Sequence, residues 1–186
     1  MLNINLEGKT ALITGAAGQL GRVMCEVLAQ CGADIIIHYN SNAEQARLIE
    51  EKIKFMGRNA VSVQADITSQ DSIERMKKRV SEFKMPDIII NNAVIQYEWK
   101  PLLDQDIKDY YSQFESCVMQ TVYMTKAFAP YMIKQNYGRI IAINTESAAL
   151  AEAGCSAYTS AKRGLDGIVR LSLIHISEPT RRSYIS

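Results

Sequence analysis

Two short runs of this chain hold residue types at spacings that chemistry can use. Tyr158 and Lys162 stand four positions apart in Tyr158-Thr159-Ser160-Ala161-Lys162. On a helix that spacing puts a phenol and an ammonium on one face, with Cβ atoms about 5–6 Å apart. The run Thr14-Gly15-Ala16-Ala17-Gly18-Gln19-Leu20-Gly21 is a glycine-rich turn that follows an apolar stretch. Between a strand and a helix, such a turn holds a phosphate on free backbone N–H groups. Neither run is specific alone: Tyr and Lys at this spacing are common on solvated helix faces, and many loops carry three glycines. Together they point to a dinucleotide at one end of a sheet with a proton-donating tyrosine beside it. That is the equipment for carbonyl–alcohol redox chemistry.

The elements that must position these residues follow from apolar periodicity and stop signals. Thr10 to Ile13 is a short strand entering the glycine turn. Leu20 to Gln30 reads as a helix with Val23, Met24, Val27 and Leu28 on its apolar face and Gly32 as its stop. Asp34 to Tyr39 is a β-branched run of the kind buried inside parallel sheets. A polar helix over about 43–56 stops at Gly57, and Ala60 to Gln64 is a third strand. Thr68 or Ser69 caps a helix running to about Phe83. Asp87 to Ile90 is a fourth strand ending at Asn91-Asn92-Ala93. One long helix is expected from about Ile107 to Gln135, then a fifth strand from Gly138 to Ile143 and a helix from near Ser156. Alternating strands and helices give right-handed crossovers and a doubly wound parallel α/β sheet with helices on both faces. Ligands of such sheets bind past the C-terminal strand ends. The glycine turn, Asn91-Asn92-Ala93 and Asn144-Thr145-Glu146-Ser147 all fall there. Asn91-Asn92 reads either as a plain turn or as side chains tying that loop together beside a cofactor.

Composition narrows the function classes. The chain has 186 residues, 47% of them hydrophobic, and a net charge of +1. That suits one globular domain and gives no reason to expect nucleic acid or an anionic membrane as partner. No apolar stretch approaches the roughly 20 residues that span a bilayer, and the first residues lack a signal-peptide pattern. A cytoplasmic location is expected. Cys25, Cys31, Cys117 and Cys155 form no C-x-x-C pair and only two histidines are present, so no metal site is expected and the thiols read as reduced.

In order and spacing these motifs resemble those of the short-chain dehydrogenase/reductase family. The likeness extends over roughly Leu6 to Arg170, and it implies that 1–170 is a partial NAD(P)-binding Rossmann-like domain, an incomplete doubly wound sheet of about five strands in the order 3-2-1-4-5. Thr14, Gly15, Gly18, Leu20 and Gly21 lie in what resembles its cofactor turn. Asp66-Ile67 is similar to its adenine-contacting pair, Asn92-Ala93 to part of its N-N-A-G motif, and Tyr158 and Lys162 to its Y-x-x-x-K. Thr145, thirteen residues before Tyr158, stands where the family has a catalytic serine. The resemblance implies an enzyme that transfers hydride between a nicotinamide and a ketone or secondary alcohol. In it Tyr158 is the proton donor, Lys162 lowers the tyrosine pKa and bonds the ribose, and Thr145 holds the substrate oxygen. It also implies a small-molecule carbonyl or alcohol substrate and a homo-oligomeric full-length form.

Four positions depart from the family pattern. Gln19 stands where the commonest turn has glycine, Val94 replaces the glycine of N-N-A-G, and Thr145 replaces serine. Cys117 occupies the place of the family's catalytic asparagine, and a thiol lacks an amide's donor–acceptor pair. A non-catalytic nucleotide-binding relative is therefore the alternative, and the glycine spacing also admits an epimerase- or dehydratase-like member. At the end of the second strand, Tyr39-Asn40-Ser41-Asn42 offers no carboxylate to a ribose 2′-hydroxyl, and Arg22 lies nearby in sequence. The cofactor is NAD or NADP, with NADP preferred. Tyr39 and Asn40 are expected to contact it.

From Leu171 the expected amphipathic pattern stops. Leu171-Ser172-Leu173-Ile174-His175-Ile176-Ser177-Glu178-Pro179-Thr180-Arg181 resembles a translated sequencing adapter. The segment 171–186 is expected to be a non-native tail.

Overall fold

The computed structural model describes residues 4–150 and 152–175. Five parallel strands form one sheet in the order β3-β2-β1-β4-β5. They are β1 (Thr10–Ile13), β2 (Asp34–Tyr39), β3 (Ala60–Gln64), β4 (Ile88–Asn91) and β5 (Arg139–Ala142). The helices between them are α1 (Gln19–Gln30), α2 (Ala43–Phe55) and α3 (Gln70–Phe83). Then come α4 (Ile107–Phe114), α5 (Gln120–Lys134), the short α6 (Ser147–Leu150) and α7 (Ser156–His175). The expected doubly wound α/β fold and its strand order are both present. β1 lies between β2 and β4, with Leu12 in register with Ile36 on one side and Ile89 on the other.

Because side chains alternate across the sheet, each strand feeds two cores. On one face Ile13, Ile35, Ile37, Ile88 and Ile90 pack with Cys25 and Ala29 of α1 and Ile49 and Ile53 of α2. On the other, Leu12, Ile36 and Ile89 pack with Ile73, Met76 and Val80 of α3 and Met124 and Phe128 of α5. Each fully buried aliphatic side chain contributes roughly 1.5–3 kcal/mol of transfer free energy. Local signals set the helix limits. Ser69, not Thr68, caps α3, its side chain accepting the Ser72 amide at 3.2 Å. Gly32 and Gly57, at φ +100 and +79, supply the left-handed residue that follows α1 and α2.

Three features differ from the sequence reading. The face of α1 turned to the sheet is Gly21, Cys25 and Ala29, while Val23 and Val27 are 52% and 49% exposed. The reason is proximity: α1 lies so close to the glycine turn that only small residues fit beneath it. Met24 and Leu28 are half-buried at the margin of that core. The remaining apolar stripe borders an open groove of about 270 Å³ shared with Ile141 and Ile143. Second, the long helix is not uniform. Between α4 and α5 the residues Glu115–Met119 form a π turn. Third, the short α6 after β5 was not anticipated. α7 continues past Arg170 to His175. The rest of the expected tail, 176–186, lies outside the described residues. No helix among the described residues is long and apolar enough to cross a membrane.

Candidate active site

The glycine turn links the C-terminal end of β1 to α1. Gly15 has φ +64, a conformation that favours glycine, and a Cβ there would come within 3.0 Å of Ala93 Cα. A Cβ on Gly21 would come within 2.3 Å of the Gly15 carbonyl oxygen, so α1 cannot hold this position with any side chain there. Gly18 is the N-cap of α1 and brings no side chain to the first amides of the helix. Those of Gln19, Leu20 and Gly21 precede the first intrahelical bond, and the positive end of the helix dipole lies with them. This is a cradle that a Cβ would fill, and its bare amides and polarity fit a pyrophosphate. Leu20 is half exposed at its front.

A hydrogen-bonded frame holds the turn from behind. The Thr14 hydroxyl donates to Gln120 Oε1 at 2.6 Å and accepts the amides of Asn92 at 2.9 Å and Ala93 at 3.0 Å. Asn92 Nδ2 donates to the Thr14 carbonyl at 2.9 Å. Gln120 Nε2 donates to the carbonyls of Ala93 and Ser116 at 3.0 and 2.6 Å. Asn92 thus ties the β4 loop to the turn. Asn91 does not: its amide is buried, and neither of its polar atoms has a protein partner among the described residues. His38 closes the frame from β2. Its Nδ1 accepts the Gly15 amide at 3.1 Å, and Nε2–H donates to the Ala65 carbonyl at 3.0 Å. Burial, above all, lowers its pKa to about 4, so the imidazole is neutral, as these two bonds require.

The other expected cofactor contacts lie around the same strand ends. Tyr39 ends β2 beside Gln64, and Asn40 accepts Gln64 Nε2 on its carbonyl at 3.1 Å. Asp66 Oδ1 is engaged by its own loop, accepting Thr68 N–H at 2.9 Å and its hydroxyl at 2.7 Å, and Ile67 is buried. Arg22 is exposed on the first turn of α1.

Tyr158, Lys162 and Thr145 come together past the end of β5. Thr145 acts on the Tyr158 hydroxyl in the direction that favours the phenolate. Lys162 Nζ lies 5.5 Å from the Tyr158 ring centroid and donates to the Ile143 carbonyl at 2.5 Å. Cys117 is buried in the cluster that Ala161 and Leu165 form with Tyr158, and it interacts electrostatically with both Tyr158 and Lys162. One expectation reverses here. The Tyr158 pKa is raised, first by burial and then by Cys117, with Thr145 opposing, and the Lys162 ammonium is bonded to the Ile143 carbonyl. Burial likewise lowers the Lys162 pKa. A neutral phenol at neutral pH is the form that can give up a proton.

The sequence profile described as "short chain dehydrogenase" matches residues 9–174. The chain belongs to that family. Relatives include the 3-oxoacyl-[acyl-carrier-protein] reductase of Staphylococcus aureus strain Mu50, 28% identical over 173 residues, covering 87% of this chain and 66% of that protein. The hydroxynaphthalene reductase of Aspergillus fumigatus is 30% identical over 166 residues, covering 89% and 60%. A solved 7α-hydroxysteroid dehydrogenase, in complex with NADH and 7-oxo glycochenodeoxycholic acid, superposes with a TM-score of 0.87 at 27% identity, covering 94% and 68%. The chain therefore spans about 66% of the reductase relative's length.

In this short-chain dehydrogenase chain, three contributing residues carry no motif. Gln120 links the turn at Thr14 to the π turn that carries Cys117. His38 links the turn to the β3 loop. The Tyr97 hydroxyl accepts the Tyr158 amide at 3.0 Å, capping the helix that presents the phenol. Gln120 and His38 are polar side chains inside apolar stretches, which is the one signal that marks them in sequence.

Proposed function

We propose that this protein is an NAD(P)-dependent oxidoreductase that interconverts a ketone and a secondary alcohol, with Tyr158 as the general acid and base. What carries the proposal is the convergence of Tyr158, Thr145 and Lys162 at the same sheet end as an α1 N-terminus left bare by glycines. A nicotinamide dinucleotide, when bound, supplies the hydride. Backbone amides of Gln19, Leu20 and Gly21 would bind its pyrophosphate, while Asp66, Ile67, Asn92 and Ala93 border its adenosine and ribose path. Thr145 orients the substrate oxygen, and the bond strengthens as negative charge grows there. Tyr158 Oη passes its proton to that oxygen during reduction and takes it back during oxidation. Lys162 supplies positive charge beside the phenol once it leaves the Ile143 carbonyl for the ribose. NADP is the preferred form, since the end of β2 has no carboxylate to repel a 2′-phosphate and Arg22 is exposed nearby. The exposed stripe of Ile107, Tyr111 and Phe114 on α4 supports self-association as part of the same proposal.

The test is Tyr158→Phe. Turnover should fall by about 10²–10⁴-fold, the range for a lost general acid, while NADPH affinity measured by calorimetry stays nearly unchanged. Turnover that survives the substitution removes the mechanism. One observation favours a nucleotide-binding relative without turnover instead: Cys117 places a buried thiol, not an amide, against Lys162 and Tyr158. Tight cofactor binding with no reduction of any ketone would identify that case.

A further inference from the structure

We propose that Tyr97 and Trp99 form an aromatic subsite beside Tyr158 that favours ketones carrying a planar fused ring over open-chain ketones of the same size. This rests on Tyr158 being the proton donor of the site described above. The Trp99 ring lies 6.4 Å from the Tyr158 ring, centroid to centroid, with the planes 25° apart. The two faces therefore run nearly parallel along one wall. Tyr97 fixes this wall to α7 through its bond from the Tyr158 amide.

The residues on either side of Trp99 are pinned, while its side chain is not covered. Gln105, itself 6% exposed, accepts the Lys100 amide on Oε1 at 3.0 Å. Its Nε2 donates to the Glu98 carbonyl at 3.2 Å and to Asp109 Oδ2 at 2.6 Å. Glu98 and Lys100 pair with each other at 3.1 Å, which keeps both charges occupied on the flanks of the indole. Yet Trp99 remains 55% exposed, and Ile95 of the same loop 40%. A large apolar ring held in the open on a braced loop, next to a half-buried tyrosine, gains from being covered. In the proposed subsite, a ligand whose carbonyl reaches Tyr158 Oη would lie against this ring. Flat rings gain over flexible chains there, because offset aromatic contact adds to simple area burial and costs little ordering. The size of that term corresponds to about a threefold to tenfold gain in affinity.

The chain has one tryptophan, so indole emission reports this subsite alone. The 186-residue chain is titrated with 2-tetralone and with 2-decanone, each a ten-carbon ketone, by emission and by calorimetry. 2-Tetralone should bind saturably, shift the emission and bind about threefold to tenfold more tightly than 2-decanone. In Trp99→Leu, which keeps apolar bulk but loses the plane, calorimetry should show that preference gone, and Trp99→Phe should restore most of it. Circular dichroism confirms that both variants are folded. Equal affinities in the unsubstituted protein, or a preference that survives Trp99→Leu, overturn the subsite and leave the proton-donor role standing. Binding of neither ketone also overturns the subsite. The role of Tyr158 is decided separately, because binding does not need the phenol proton and the Tyr158→Phe turnover does.

Discussion

β4 and β5 are neighbours in one sheet and similar in chemistry, Ile88-Ile89-Ile90-Asn91 beside Arg139-Ile140-Ile141-Ala142, with Ile89 in register with Ile140. β4 is buried at every position, whereas β5 alternates exposed and half-buried residues. The difference is one of neighbours. β4 is paired on both edges and covered by α1 on one face and α5 on the other. Among the described residues β5 pairs only with β4, and Ile141 opens onto the groove beside Val23 and Val27. An apolar sequence makes a strand; its position in the sheet decides how much water it sees. The same division separates the two halves of the site. The phosphate cradle hangs on β1 and β4, cross-braced by Thr14, Asn92, Gln120 and His38. Tyr158 and Lys162 hang on β5 and α7, held through the Ile143 carbonyl and the Tyr97 hydroxyl.

Substitutions can break or sharpen this comparison, beginning with the most severe. Gly21→Val should abolish NADPH binding, measured by calorimetry, since even a Cβ meets backbone at 2.3 Å. Unchanged affinity would mean that the cradle is elsewhere. Next, Ile89→Ala should destabilise by about 2–5 kcal/mol, as for a fully buried aliphatic residue. Ile141→Ala, at 44% exposure, should cost under about 1 kcal/mol by chemical denaturation. Equal losses would show that the two strands are equally buried in solution.

The third expected effect is a pH dependence confined to the braced half. His38 has a folded pKa of about 4 against roughly 6.5 unfolded. Between those values the unfolded chain binds the proton that the folded one refuses, so stability falls as pH drops from about 6.5 to 4. His38 accounts for about 3 kcal/mol of that slope, fully present above pH 6.5. Denaturant melts across this range should lose most of the slope in His38→Asn. The smallest effect is expected from Cys117→Asn, which should leave turnover intact or raise it a few-fold. A large loss with unchanged circular dichroism would show that the thiol itself matters.

Much of the braced half was legible in the sequence. Strand β2, the glycine turn and the stops at Gly32 and Gly57 are local signals, read without knowing what lies across the molecule. So are Tyr158 and Lys162, because an i, i+4 pair needs only its own helix. What escaped depends on distant neighbours. The α1 face was misjudged because Val23 and Val27 are larger and more apolar than Gly21, Cys25 and Ala29, while the constraint was room beside the Gly15 carbonyl. The bond of Lys162 to the carbonyl of Ile143, nineteen positions away, is equally invisible to a local reading. Gln120 bonds Thr14 across 106 positions, which no periodicity reports.

The π turn at Glu115–Met119 sets a phase. Each residue of a regular helix advances about 100° around the axis, and a π turn holds one more residue than an α turn would. Before it, Tyr110 faces α7, its hydroxyl 2.7 Å from Ser156 Oγ. After it, Met124 and Phe128 face the sheet and Gln120 faces Thr14. One unbroken α-helix would have to give up one set of partners or the other. Removing a single residue from 115–119 would therefore act as a rotation by roughly a quarter turn, moving Gln120 away from the glycine turn while every side chain remained chemically the same. The segment behaves as a gear tooth between the two halves of the site: its residue count, as much as its residue types, keeps them in step.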